Sequence, residues 1–144
     1  MRKVNLRAPE FDHDQARDGY RWRGVRVGQA IGADQIGASL YELPEGQHTY
    51  PYHLHHGTEE WLLVVGGAPV LRTPDGEQTL REGDVVCFPA GPAGAHRLTG
   101  PGTVLLLSAT MRPDTVEYPD SGKVGARPGG TFRAADAVDY WYGE

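Results

Sequence analysis

The chain has 144 residues, enough for one domain with a proper core and too few for a comfortable second. With 39% hydrophobic residues, 23% charged and a net charge of −5, it has the composition of an ordinary folded domain. No stretch concentrates Lys or Arg, which excludes a nucleic-acid footprint and a polybasic membrane anchor, and a single cysteine excludes an internal disulfide. No apolar run approaches bilayer length, and Met1-Arg2-Lys3 is not followed by the apolar segment of a secretory signal. The expected location is therefore the cytoplasm, where a lone thiol is ordinary.

Residues 1 to 22 are polar and irregular, with Pro9 and charges running through Asp18. They predict an N-terminal arm, over 1–23, outside the core. From Gly24 the character changes: Val25, Val27, Ile36, Ala38 and Leu40 recur with period two, the pattern of half-buried strands. Trp61–Val65, Val85–Phe88 and Val104–Leu107 are short apolar runs rich in strand formers. Cys87 lies inside the second of these and is expected to be buried and inert. Thr73-Pro74-Asp75-Gly76 has the composition of a hairpin turn, and Arg81–Asp84 and Pro89–Gly94 mark two further reversals. Only Ala134–Val138 suggests a turn of helix. Many short strands between Gly/Pro turns predict an all-β fold, an antiparallel sandwich or barrel over 24–126. The extension 127–144 carries Phe132, Tyr140, Trp141 and Tyr142. Aromatics at that density are expected to pack on the barrel or on a partner subunit.

The segment Tyr52-His53-Leu54-His55-His56-Gly57-Thr58-Glu59-Glu60 is the one that carries chemistry. Residues two apart on a strand share a face, so His53 and His55 point the same way and His56 the other. A reversal at His56-Gly57-Thr58 brings Glu59 or Glu60 back beside the pair, and only one of the two can face inward. Two neutral imidazoles and a carboxylate on one interior face suit a divalent transition metal. His96, just after the Pro89–Gly94 turn, is the candidate for a fourth donor. His48 and His56 are expected outside this set, and His13 needs no function.

These residues resemble the cupin superfamily, small β-barrels of the jelly-roll or double-stranded β-helix type that carry two short motifs. The first is similar to Gly46, His53, His55, Glu60 and Gly67; the second to Gly83, Pro89, Gly91 and His96. The resemblance runs from about Gly24 to Met111. It implies His53, His55, Glu60 and His96 as the ligands of one divalent ion per chain, and so prefers Glu60 to Glu59. Two spacers are longer than the usual pattern, and Gly100 stands where the second motif has Asn. The longer spacers fall in turns, where insertion costs little, and neither departure removes a donor atom.

Three imidazoles and a carboxylate leave coordination positions open, as in catalytic rather than closed structural sites. A mixed N/O set accepts Fe, Mn, Ni, Co or Zn. Tyr50, Tyr52, Trp61, Phe88 and Leu98 flank the ligands and are expected to line a substrate pocket. The expected function is that of a metal-dependent enzyme on a small oxygen-bearing metabolite, of dioxygenase, isomerase or lyase type, including decarboxylase. The alternative is a non-catalytic binding or sensor module. Since imidazole coordinates only when neutral, metal affinity is expected to fall below about pH 6. Small cupins commonly pair, which implies a homodimer.

Overall fold

Period-two patterning becomes thirteen short strands among the residues described by a computed structural model, 1–109 and 113–144. In chain order they are β1 (His13–Gln15), β2 (Trp22–Val25), β3 (Ile36–Leu43), β4 (Leu54–His55), β5 (Glu60–Gly67), β6 (Val70–Thr73) and β7 (Gly76–Thr79). There follow β8 (Val85–Phe88), β9 (Arg97–Thr99), β10 (Gly102–Ala109), β11 (Asp114–Tyr118), β12 (Lys123–Arg127) and β13 (Thr131–Arg133). The far end of the motif resemblance, Met111, lies outside the described residues.

One sheet has six strands in the order β1-β2-β3-β10-β5-β8, and its ladders are antiparallel. Facing it are a four-stranded sheet, β13-β12-β11-β4, and a three-stranded one, β7-β6-β9. A single bridge between His53 and His96 joins those two into one layer, with N–H···O bonds of 3.1 and 2.8 Å in the two directions. The result is an antiparallel jelly roll whose sheets, among the described residues, do not close into one hydrogen-bonded ring.

Alternation sorts the side chains. The inner faces pack Tyr41, Leu43, Leu62, Val64, Leu71, Leu98 and Val104 with Phe88 into the main core. On the outer face of the large sheet, Leu40 and Leu105 form a second cluster with Val25 and Val27. The N-terminal arm closes over that cluster: Val4, Leu6 and Phe11 pack against it, and β1 pairs with β2. Residues 1–22 are thus less detached than their polarity suggests. Three apolar side chains in the arm suffice to dock it on this cluster.

Two other expectations give way. Val27 does not continue a strand; it opens a short helix, α1 (Val27–Ile31), which Gly32 ends in the left-handed conformation at φ 81°. Gly28 lets this turn approach the backbone of β3, since a Cβ there would lie 3.0 Å from the Ala38 nitrogen. Cys87 is exposed rather than buried. It sits on an edge strand in register with Trp61, on the outer face beyond the reach of the arm. Elsewhere the turns fall as expected: Thr73 pairs with Gly76 across Pro74-Asp75, and Ala134–Asp136 forms a 3-10 turn. In the extension, Tyr140, Trp141 and Tyr142 are 86%, 70% and 75% exposed, so the chain's own barrel wall does not cover them. No helix among the described residues is long and apolar enough to cross a membrane.

Candidate metal centre

The two layers place the histidines before any side chain is considered. His55, in β4, pairs with Val116, while His53 on the same face is bridged to His96. The chain reverses at His56-Gly57-Thr58, held by the Gly57 N–H donating to Asp114 Oδ1 at 3.0 Å, and returns as β5 with Glu60 first. On the far side, the 3-10 turn Pro92–Gly94 delivers His96. Gly94 is obligatory there, because a Cβ would overlap the Pro89 carbonyl.

Four side chains consequently meet. Glu60 Oε2 lies 3.4 Å from His55 Nε2, 3.5 Å from His96 Nε2 and 4.0 Å from His53 Nε2. The tightest group comprises His53, Glu60 and His96, whose ligand atoms all lie within 4.8 Å of one another. His55 joins it through Glu60. The three imidazoles are buried and Glu60 nearly so.

The Nδ1 side of each ring decides what its Nε2 can do. His53 Nδ1 donates to the Pro51 carbonyl at 2.9 Å and His96 Nδ1 to the Gly94 carbonyl at 2.9 Å. His55 Nδ1 donates to Asp114 Oδ2 at 2.6 Å. A carbonyl can only accept, so in His53 and His96 the proton sits on Nδ1 and Nε2 turns its lone pair toward the centre; the Asp114 carboxylate favours the same tautomer of His55. His96 Nε2 is buried without a hydrogen-bond partner. An orphaned acceptor of that kind is costly in a dry interior, and a metal ion satisfies it. The donor set fits a divalent cation.

Electrostatics agree. Burial, reinforced by the neighbouring imidazoles His96 and His55, pushes His53 down to about 3. Burial likewise lowers His96 to about 4. Both are therefore neutral, the ligating form, well below pH 6, and the acid loss of metal expected near that value moves downward. Burial raises the Glu60 carboxyl, against the pull of His55. Burial also pushes Asp114 up, but the hydrogen bonds from His55 and the Gly57 N–H outweigh it and hold that carboxyl low.

The other candidates scatter. Tyr50 lines a cavity of about 240 Å³ beside His53 and Glu60. Phe88 stacks on His96 with ring centroids 3.8 Å apart, buttressing the ligand. Tyr52, Leu98 and Trp61 do not line the cavity. Tyr52 packs with Leu54 and Ala95 under Arg72, whose guanidinium carbon sits 4.0 Å from the ring centroid, and Leu98 belongs to the main core. Trp61, next to inward Glu60, must face out; it is 49% exposed and donates to Glu59 Oε1 at 2.8 Å. His56 points out to Glu117 and His48 bonds Thr99, so neither joins the centre. His13 meets Asp12 on the surface.

Sequence reasoning missed most of the cavity wall: Ser39 and Tyr41 of β3, Ser108 of β10, Tyr118 of β11 and Arg127 of β12. The period-two signal through Gly37, Ser39 and Tyr41 was available. Gly37 and Ser39 are small on the inward face, which is why a cavity exists there at all. Tyr118 and Arg127 come from a region whose sequence carries no comparable pattern.

A jelly roll with a histidine-rich centre of this geometry defines the cupin class of protein. The chain belongs to that family: the cupin domain matches residues 39–110. Comparison with curated proteins returns no match. Among solved structures, a sugar phosphate isomerase of the cupin superfamily from Silicibacter pomeroyi is 25% identical with a TM-score of 0.79, covering 96% of this chain and 97% of that one. A protein provisionally named a sugar phosphate isomerase, from Acidithiobacillus ferrooxidans, is 26% identical with a TM-score of 0.77, covering 90% and 86%. The polyketide cyclase RemF from Streptomyces resistomycificus, 20% identical over 78% of this chain and 82% of its own with a TM-score of 0.61, shares the fold.

Proposed function

We propose that the chain is a mononuclear metal-dependent enzyme acting on a small oxygen-bearing metabolite, and that its reaction is the isomerisation of a hydroxy-carbonyl compound of the sugar phosphate type. The observation that carries the metal is the convergence of three Nε2 lone pairs and the Glu60 carboxylate, with His96 Nε2 otherwise unsatisfied. The two neighbours named as sugar phosphate isomerases, similar over nearly the whole chain, support the reaction class. His53, His55, Glu60 and His96 would hold the ion; Fe, Mn, Ni, Co and Zn all suit the set.

When bound, such an ion supplies Lewis acidity to a substrate carbonyl or hydroxyl oxygen. The chain's own residues orient the substrate and hold protons. The Tyr41 and Tyr50 hydroxyls lie 2.7 Å apart on the cavity wall. Burial, and then Tyr41 beside it, raises the Tyr50 phenol. Tyr50 stays protonated at neutral pH and can donate to a substrate oxygen. Ser39 and Ser108 add hydroxyls on the same wall.

One observation favours binding without turnover as the second reading. Among the lining residues, the imidazole and carboxyl that could serve as bases are His53 and Glu60, and both would be committed as ligands. Metal analysis followed by an aldose–ketose interconversion assay on small sugar phosphates separates the two. Metal-dependent turnover is expected. Turnover that survives complete metal removal, or a purified protein that takes up no metal, would overturn the enzymatic reading. Metal-dependent binding without turnover selects the module.

We further propose a homodimer. The exposed Tyr140, Trp141 and Tyr142 and the bare outer patch around Ile36, Trp61 and Val85 support it.

A further inference from the structure

The inward face of β12 carries a cation that the centre does not use. Arg127 pairs in register with Asp114 of β11, and cross-strand partners share a face. Asp114 faces His55, so Arg127 also rises from the inner side, and it lines the cavity with His53 and Glu60. An arginine opposite an aspartate ordinarily forms an ion pair. Here both oxygens of Asp114 are taken, Oδ2 by His55 Nδ1 and Oδ1 by the Gly57 N–H. The Arg127 side chain is solvent-exposed and makes no hydrogen bond or ion pair with a described residue, although its backbone pairs with Asp114. It is nevertheless close enough to act electrostatically on His53, Glu60 and Asp114.

Glu60 and Arg127 are the carboxyl and the guanidinium of the cavity lining. A divalent ion more than neutralises Glu60, which leaves the loaded cavity positive inside a chain whose net charge is −5. The acceptor that this arrangement lacks is an anion on the ligand. Arg127 presents a planar fork of donors suited to a two-oxygen acceptor, and Ser39, Ser108 and the Tyr41–Tyr50 pair offer hydroxyl partners along the same wall. The cavity volume of about 240 Å³ admits only a small molecule.

We propose that Arg127 is the anion-recognition residue of this cavity, and that the ligand is a small polyhydroxylated anion, a phosphate monoester or carboxylate, with its charged end on Arg127 and its oxygens toward the metal-ligand cluster. This rests on the proposed metal reading only for the orientation of the hydroxylated end; the charge partner of Arg127 does not depend on it.

The test uses the 144-residue chain, metal-loaded and metal-stripped, titrated calorimetrically with glycerol 3-phosphate, glycerate and uncharged glycerol. Wild type should bind both anions saturably and prefer them to glycerol. Arg127→Ala should weaken both anions by about ten- to a hundredfold, the range expected for a lost charge-assisted contact, with metal content and circular dichroism unchanged. Arg127→Lys, which keeps the charge without the planar fork, should keep part of the affinity for both anions. Arg127→Ala binding both anions as tightly as wild type overturns the assignment, and so does absence of saturable anion binding to wild type at millimolar concentrations. If no metal binds but the Arg127 effect persists, the anion site stands and the metal reading falls; if metal binds and the Arg127 effect is missing, the reverse holds.

Discussion

The interior of the jelly roll has two ends built by the same strands. Following β5 inward from its far end, the inner residues run Val64, Leu62, Glu60; in β10 they run Val104, Leu106, Ser108; in β3, Leu43, Tyr41, Ser39. At one end all of them are apolar and sealed, with Leu62 and Val104 at 0% exposure. At the other, two or three pleats further on, the same face offers a carboxylate and hydroxyls to three histidines from the opposite layer. Apart from a register shift between Thr103 and Val104 of β10, the ladders run on from one end to the other. What differs is the choice of side chain at successive inward positions, so one end spends its burial on stability and the other on holding polar groups in a dry place.

Acid should break this contrast most strongly. In metal-free protein His53 and His96 are buried neutral, with folded values of about 3 and 4 against an unfolded value of 6.5. The unfolded chain therefore binds more protons in that window. Stability is fully present above about pH 6.5 and falls on acidification, by about 1.4 kcal/mol per pH unit for each histidine. Glu60, whose carboxyl is raised above 4.5, works in the opposite direction and offsets part of the loss. Urea denaturation at stepped pH should show the slope. A metal-free stability that is flat from pH 6.5 to 4 would mean that the polar end is hydrated.

Removing a donor comes next. His55→Ala or His96→Ala should lower metal affinity by more than about a hundredfold, beyond the effect of losing an outer partner. His56→Ala, on the other face, should leave it unchanged; equal losses in competitive chelator titrations would undo the assignment of faces. At the apolar end, Leu62→Ala should cost about 2–5 kcal/mol of unfolding free energy while the folded fraction keeps its metal. If it loses metal instead, the two ends are not independent.

Asp114→Asn probes the support of the polar end. It removes the charge that His55 Nδ1 leans on and should weaken metal binding about 10- to 100-fold without unfolding the protein. Trp61→Ser, on the outer face, should change monomer stability by less than about 0.5 kcal/mol. If the bare patch is a subunit contact, light scattering should show dissociation of the dimer; a wild-type monomer at working concentrations would remove that reading.

Much of this organisation was legible in the sequence. Alternation and turn chemistry are local, so the strands around 61–65, 85–88 and 104–107, the Pro74-Asp75 hairpin and the histidine segment could be read directly. Glu60 over Glu59 followed from the motif resemblance, and the structure shows the physical reason: Glu59 is outside, engaged with the Trp61 indole. The failures are equally specific. Trp61, Tyr52 and Leu98 were grouped with the cavity because they neighbour ligands in sequence. On a strand, adjacency sends Trp61 and Tyr52 to the face opposite Glu60 and His53, while Leu98, two residues past His96, keeps the inner face but sits in the main core. Cys87 was expected inside because its run is apolar, yet an edge strand has an outer face that nothing among the described residues covers.

What the sequence by itself determined is therefore whatever depends on neighbours along the chain: the strand content, the hairpins, the cupin motifs and the residues able to donate to a metal. What only the tertiary structure decided is who meets across the two layers. Asp114 lies 59 residues from the histidine that it holds. Arg127 comes from a strand with no motif, and that its side chain has no ion-pair partner among the described residues can be seen only after Asp114 is found to be engaged elsewhere. Hydrogen bonds and charges act over a few ångströms in space, and no period or spacing records which distant segments the fold will bring within that reach.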